Sequence, residues 1–215
     1  MVEILNNMKV LFYGGAFNPV TIAHIELANT VRKELGYDKV LFVPTKDKYI
    51  RHDEGKDFVF SSDFRLSLLK EVSKNNEWMI VSDYEINLDE QPRTYMTLCH
   101  FRDEEYELKL LIGSDWLPKL KTGWKFVDEI AHEFGFVVMT RNHDDIESMI
   151  DSDEYLSKYK DYITCIHTPD IYQEVSSTKI RQNYKEYLDK QKNIQNMLPK
   201  EISSFFFEEG KGESK

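Results

Sequence analysis

A short apolar run, Val10-Leu11-Phe12-Tyr13, stops at Gly14-Gly15, and an amphipathic pattern with helical spacing begins near Thr21 and continues to Leu35. That order predicts a strand, a tight loop and a helix, and it constrains the fold more than any other stretch. A second apolar run, Lys39 to Pro44, follows a helix stop at Gly36-Tyr37. Strand, helix and strand at this spacing make a βαβ unit, which requires parallel pairing through a right-handed crossover. Paired glycines allow φ > 0 and let a ligand approach the main chain, while the helix start turns its unpaired N–H groups toward the same place and attracts anions. Thr21 and His24 fall on that helix end. Both can donate to an anion lying over Gly14 and Gly15, although Thr21 is equally a plain N-cap and His24 a surface histidine.

The 215 residues, 41% of them hydrophobic, can bury one sizeable core. We therefore expect one domain over 1–207 and a frayed tail over 208–215. A net charge of -10 gives no general attraction to nucleic acid polymers or anionic membranes, so an anionic substrate has to meet a local positive site. Cys99 and Cys165, the two cysteines, lack metal-ligand spacing and fit a reducing cytosol. No apolar run is long enough to span a bilayer, and the first residues lack an export pattern. The expectation is a soluble cytoplasmic protein.

Further along, Thr45 to Ser61 reads as a polar loop carrying Lys46, Lys48, Tyr49, Arg51 and His52, and Ser62-Asp63 caps a helix to about Asn75 with Phe64, Leu66, Leu68, Leu69 and Val72 toward the core. Trp78 to Ile86 reads as a strand, Thr94 to Arg102 as a short helix, and Glu107 to Gly113 as a strand followed by Asp115. A helix then runs to Phe134 and a fifth strand over Gly135 to Thr140, ending at Arg141. Asn142 to Asp161 is acidic without calcium-loop spacing and reads as an irregular solvated insertion. Tyr162 to His167 is a sixth short strand, and Ser176 to Thr178 cap a helix to about Leu188. Lys179 and Arg181 in that helix's first turns oppose its dipole, a conflict that a bound anion removes. The sum is an α/β fold: a doubly wound parallel sheet of five to six strands flanked by helices.

GGAFNPVTIAH resembles the GGxF(D/N)PxHxGH-type signature of the nucleotidylyltransferase superfamily, in which the first His is often Thr, and SSTKIR at Ser176 to Arg181 resembles its SSTxIR box. Gly113-Ser114-Asp115 is similar to the G(A/S)D segment, Thr122-Gly123-Trp124-Lys125 to the TW segment, and Asp47-Lys48-Tyr49 to D-x-Y-x-K. In that order they most resemble the nicotinamide or nicotinate mononucleotide adenylyltransferases. Asn18 stands for Asp, Ala23 for Gly, and Gly123 displaces the Trp by one position.

The resemblance implies a Rossmann-like sheet and transfer of AMP from ATP to nicotinate or nicotinamide mononucleotide, with pyrophosphate leaving. It implies ATP binding by Gly14, Gly15, Ala16, Phe17, Thr21, His24, Gly113, Asp115, Ser176, Ser177, Thr178 and Arg181. His24, Thr21 and Arg181 would act in catalysis. Phe17, Asn18, Lys48, Arg51, Thr94, Trp124 and Arg141 would meet the mononucleotide, with Thr97 as a second source of the hydroxyl that the Thr94-Tyr95-Met96 run leaves in question. Mg²⁺ would arrive as the ATP complex, with no protein metal ligand. A homo-oligomer is open. Other readings are a phosphopantetheine adenylyltransferase or cytidylyltransferase, and a nucleotide-binding regulator without turnover.

Overall fold

In the computed structural model, residues 7–52, 58–102, 106–141, 143–172, 174–190 and 194–209 are described. The first strand, β1, runs Met8–Gly15, and helix α1, Ile22–Leu35, ends at Gly36, whose φ of 68° a side chain would disfavour. β2 covers Lys39–Pro44 and pairs with β1 in parallel, with Gly15 opposite Pro44. The expected polar loop after it instead begins with a short helix, α2, Asp47–His52, before α3, Ser62–Ser73. The α2 start is fixed by Ser62, whose hydroxyl accepts from the Asp47 amide and donates to the Asp47 carboxylate.

The third strand is shorter than expected. β3 covers Met79–Val81 alone, and the remainder of the run turns into α4, Tyr84–Asn87, because Glu85 is buried against α5, Thr94–Arg102. β4, Tyr106–Gly113, leads through a 3₁₀ turn into α6, Leu117–Gly123, and then α7, Val127–Glu133, and β5, Phe136–Met139. The acidic stretch is not irregular: Asp145 and Asp153 accept N-terminal amides and cap α8, Ile146–Ser152, and α9, Glu154–Ser157. β6, Ile163–Ile166, precedes α10, Ser177–Lys190, and α11, Ser203–Glu209. Of the expected tail, 208–209 close α11 and 210–215 lie outside the described residues.

All pairings are parallel, in the order β3-β2-β1-β4-β5-β6. Alternate strand residues feed two cores. Leu11, Tyr13, Phe42, Val137 and Met139 pack with α1, α3, α10 and α11, while Val10, Phe12, Leu41, Leu110 and Val138 pack with α5 to α9. Strands buried on both faces explain their unbroken apolar runs. The chain's direction across the sheet reverses between β1 and β4, so the loops leaving Gly15 and Gly113 flank the crevice where such sheets hold ligands.

Candidate active site

The turn after β1 differs from expectation in one respect. Neither Gly14 nor Gly15 has positive φ; Phe17 does, at 40°. The glycines instead serve close packing, since a Cβ on Gly14 would sit 3.0 Å from the Phe12 ring. The Phe17 ring packs edge-on to Tyr13 and His24, each at 5.3 Å between centroids. The side chain of Asn18 is buried and satisfied by the backbone: Nδ2 donates to Phe58 O at 3.0 Å and Oδ1 accepts from Phe60 N at 2.9 Å. The Asn18–Pro19 bond is cis.

At the start of α1 Thr21 is the N-cap and His24 its reciprocal partner. Thr21 is fully buried; its Oγ1 accepts from His24 N, and its own N–H donates to His24 Nδ1 at 3.1 Å. Because a backbone N–H can only donate, Nδ1 is the acceptor nitrogen and the neutral ring carries its proton on Nε2. Thr21 therefore holds the imidazole from behind, with Oγ1 to Nδ1 at 2.7 Å, and leaves Nε2–H as the donor.

The second box meets this turn across the sequence. Ser177 Oγ donates to Pro19 O at 2.8 Å, and Arg181 Nη1 donates to Asn18 O at 2.8 Å, pairs separated by 158 and 163 positions. Arg181 Nη2 also donates to Thr178 Oγ1 at 3.1 Å, and Ser176 Oγ accepts from Lys179 N as the cap of α10. Lys179 itself pairs with Glu174, so its charge is met by a carboxylate.

Between the boxes stands the end of β4. A Cβ on Gly113 would lie 2.4 Å from Asp115 Oδ1 and 2.8 Å from Arg141 Cγ, so glycine is what lets these two side chains close over the strand end. Ser114, fully buried, accepts from Arg141 N at 2.8 Å and donates to Asp144 at 2.7 Å. Beneath them the Tyr13 phenol is pushed up to about 12 by burial, with Arg141 pulling it down and Asp115 pushing it further up. A small crevice opens beside Arg141 and Ser176, walled by Thr140, Tyr172, Val175 and Leu27.

The residues expected to meet the mononucleotide are more dispersed. Lys48 is exposed on α2, and Arg51 on the same helix donates to Val59 O at 2.7 Å. Thr94 opens α5. Trp124 packs edge-on against Trp116 at 5.8 Å, and nearby Phe126, at φ 63°, stacks on Tyr95 at 5.4 Å. Thr97 is fully buried, and its hydroxyl donates to Glu85 at 2.7 Å.

Two buried charges escaped the sequence reading. Arg65 occupies a core position of α3, where Leu66 was expected, and Leu66 is only half-buried. The signal was present, since 65, 68, 69 and 72 keep one helical face. Glu85 accepts from Thr97 and from Gln91 Nε2 at 2.5 Å, and Gln91 accepts in turn from Lys46 N at 2.9 Å, tying the exit of β2 to α5. Among the described residues no group of three His, Cys, Asp or Glu side chains gathers as a metal site, and no helix is long and apolar enough to cross a membrane.

A cytidylyltransferase-like family model matches residues 12–183. A Clostridium botulinum protein named "Probable nicotinate-nucleotide adenylyltransferase" is 34% identical over 178 residues, covering 82% of this chain and 86% of that one. A Fusobacterium nucleatum protein of the same name is also 34% identical, over 85% of this chain and 90% of its own length. Among solved structures, the Plasmodium falciparum nicotinic acid mononucleotide adenylyltransferase complexed with APC superposes with a TM-score of 0.72 at 18% identity, covering 94% of this chain and 96% of that one. The likeness in structure carries the fold; the likeness in sequence, spread across nearly the whole length, carries the kinship. This chain belongs to the nicotinate-nucleotide adenylyltransferase family of cytidylyltransferase-like proteins.

Proposed function

We propose that the protein transfers AMP from ATP to nicotinate mononucleotide, forming the dinucleotide and pyrophosphate by direct in-line attack. The observation that carries this reading is the strap between the two phosphate boxes, Arg181 to Asn18 O and Ser177 to Pro19 O, which lets one polyphosphate touch both. The attacking 5′-phosphate is already anionic, so no protein nucleophile is needed. The chain has to hold two like-charged reactants in line and neutralise charge in the transition state.

In this reading His24 Nε2–H and Arg181 donate to phosphate oxygens, and the backbone near Gly15 to Phe17 supplies further donors. Ser176, Ser177 and Thr178 surround the polyphosphate, Asp115 meets the ATP ribose, and Arg141 lies between the two reactants. Thr94 and Trp124 serve the pyridine, and Lys48 and Arg51 the acceptor's phosphate. Mg²⁺ enters with ATP. Both cysteines are free, in keeping with a cytosolic enzyme.

The test is a paired assay of kcat/KM with nicotinate and nicotinamide mononucleotide, with 4′-phosphopantetheine as a third acceptor. Dinucleotide formation favouring the nicotinate form is the expected result. Preferred turnover of 4′-phosphopantetheine, or ATP binding without turnover of any acceptor, would overturn the reading.

A further inference from the structure

Arg65 is fully buried beneath the candidate site, and its guanidinium reaches three main-chain carbonyls. Nη1 donates to Ala16 O at 2.6 Å, Nη2 to Thr45 O at 2.6 Å, and Nε to Phe60 O at 3.1 Å, with Ser62 Oγ at 3.2 Å from Nη2. These carbonyls belong to the turn after β1, the exit of β2 and the segment leading into α3. Two of these residues are also tied to the turn through their amides: Thr45 N donates to Gly15 O at 2.9 Å, and Phe60 N to Asn18 Oδ1. One planar fork thus joins the phosphate turn to both of its neighbours, a geometry that a single ammonium cannot reproduce.

The consequence lies in the next atom of the chain. The Ala16–Phe17 peptide is trans, and in a planar trans peptide the C=O and N–H point in opposite directions. Fixing Ala16 O on Arg65 therefore aims Phe17 N–H away from the guanidinium. That amide meets no acceptor among the described residues, in a residue that is itself only 2% exposed. A buried backbone donor without a partner is rare and calls for one. Phe17 also takes the positive φ in this turn, a conformation that costs a side-chain-bearing residue and persists only when its surroundings enforce it.

We propose that Arg65 is a positioning residue for adenylyl transfer: by gripping the Ala16 carbonyl it turns the Phe17 amide toward the reacting phosphates, where it serves as a preorganised donor. The proposal rests on the adenylyl-transfer reading above and adds to it a residue outside the signature motifs that never touches substrate.

The test compares wild type, R65K and R65Q, with kcat scaled to the folded fraction from thermal melts, alongside a semisynthetic protein carrying phenyllactate at position 17, which replaces the Phe17 N–H by an ester oxygen. Misplacing a donor by about 1 Å costs on the order of 10²-fold in rate, so the Arg65 variants should lose roughly that factor in kcat while KM for nicotinate mononucleotide changes less than about 3-fold. The ester protein should lose about 10²- to 10³-fold in kcat. In ¹H–¹⁵N spectra the wild-type Phe17 amide should shift on addition of inorganic pyrophosphate, and in R65K that shift should be lost. Folded R65K with wild-type kcat and an intact Phe17 shift would overturn the role of Arg65. An ester protein with wild-type kcat would overturn it whether or not the Arg65 variants fold. A wild type without adenylyl transfer would instead remove the underlying reading.

Discussion

His24 is held by the helix it helps to start. Its Nδ1 accepts from Thr21 N–H while its own N–H is capped by Thr21 Oγ1, so cap and tautomer are fixed by the same pair of residues through two reciprocal bonds. H24A should therefore lower kcat by about 10²-fold or more, as loss of a preorganised donor does, and circular dichroism should show an unchanged fold; an unaltered kcat would contradict the role. T21V removes the cap, typically worth about 1 kcal/mol, and the Oγ1 contact on Nδ1 while the backbone N–H to Nδ1 remains, so the ring is held less firmly and both the melting temperature and kcat should fall. Thr21 and His24 were legible because their spacing on a predicted helix start places them. The structural task of Asn18 was not, because its partners, the backbone of Phe58 and Phe60, lie 40 and 42 positions away.

Among the elements, the end of β4 and the start of α5 make the sharpest demands. In G113A the new Cβ displaces Asp115 and Arg141, both through flexible side chains. The variant should stay folded while KM for ATP rises, which steady-state kinetics with a melt control can check. Burial raises the Glu85 carboxyl above the ordinary range, although its bonds from Gln91 and Thr97 pull the other way. The folded state then holds the proton more tightly than the unfolded one. That stabilisation is complete below the unfolded value, about 4.3, and is lost as pH rises through the folded value. Urea melts from pH 4 to 7 should show wild type losing stability relative to E85Q as pH rises; parallel profiles would contradict the sign. Helix and strand types were readable where the apolar period was long, as in α1 and β2. They failed in short runs, where Glu85 turned the end of a strand-like stretch into α4, and where aspartate caps organised the acidic segment into α8 and α9.

On the scale of the molecule, the strand order brings the exits of β1 and β4 together, and the return of α10 to the α1 side closes the crevice with the second box. That convergence could be expected from the two motifs, but their junction runs through main-chain carbonyls, which a sequence pattern does not encode. Arg65 was hidden for the same reason: its partners are the backbones of Ala16, Thr45 and Phe60. With a net charge of -10, affinity for two anionic reactants depends on a few local cations. R181A should raise KM for ATP about tenfold or more, roughly 1.4 kcal/mol of binding, an effect measurable by initial rates at saturating mononucleotide. The central claim, that one pocket joins two phosphates directly, is tested most directly by turnover of ATP made chiral at the α-phosphorus with a thiophosphate. The account predicts one pyrophosphate per dinucleotide and inverted configuration at phosphorus; retention, or pyrophosphate without dinucleotide, would contradict it.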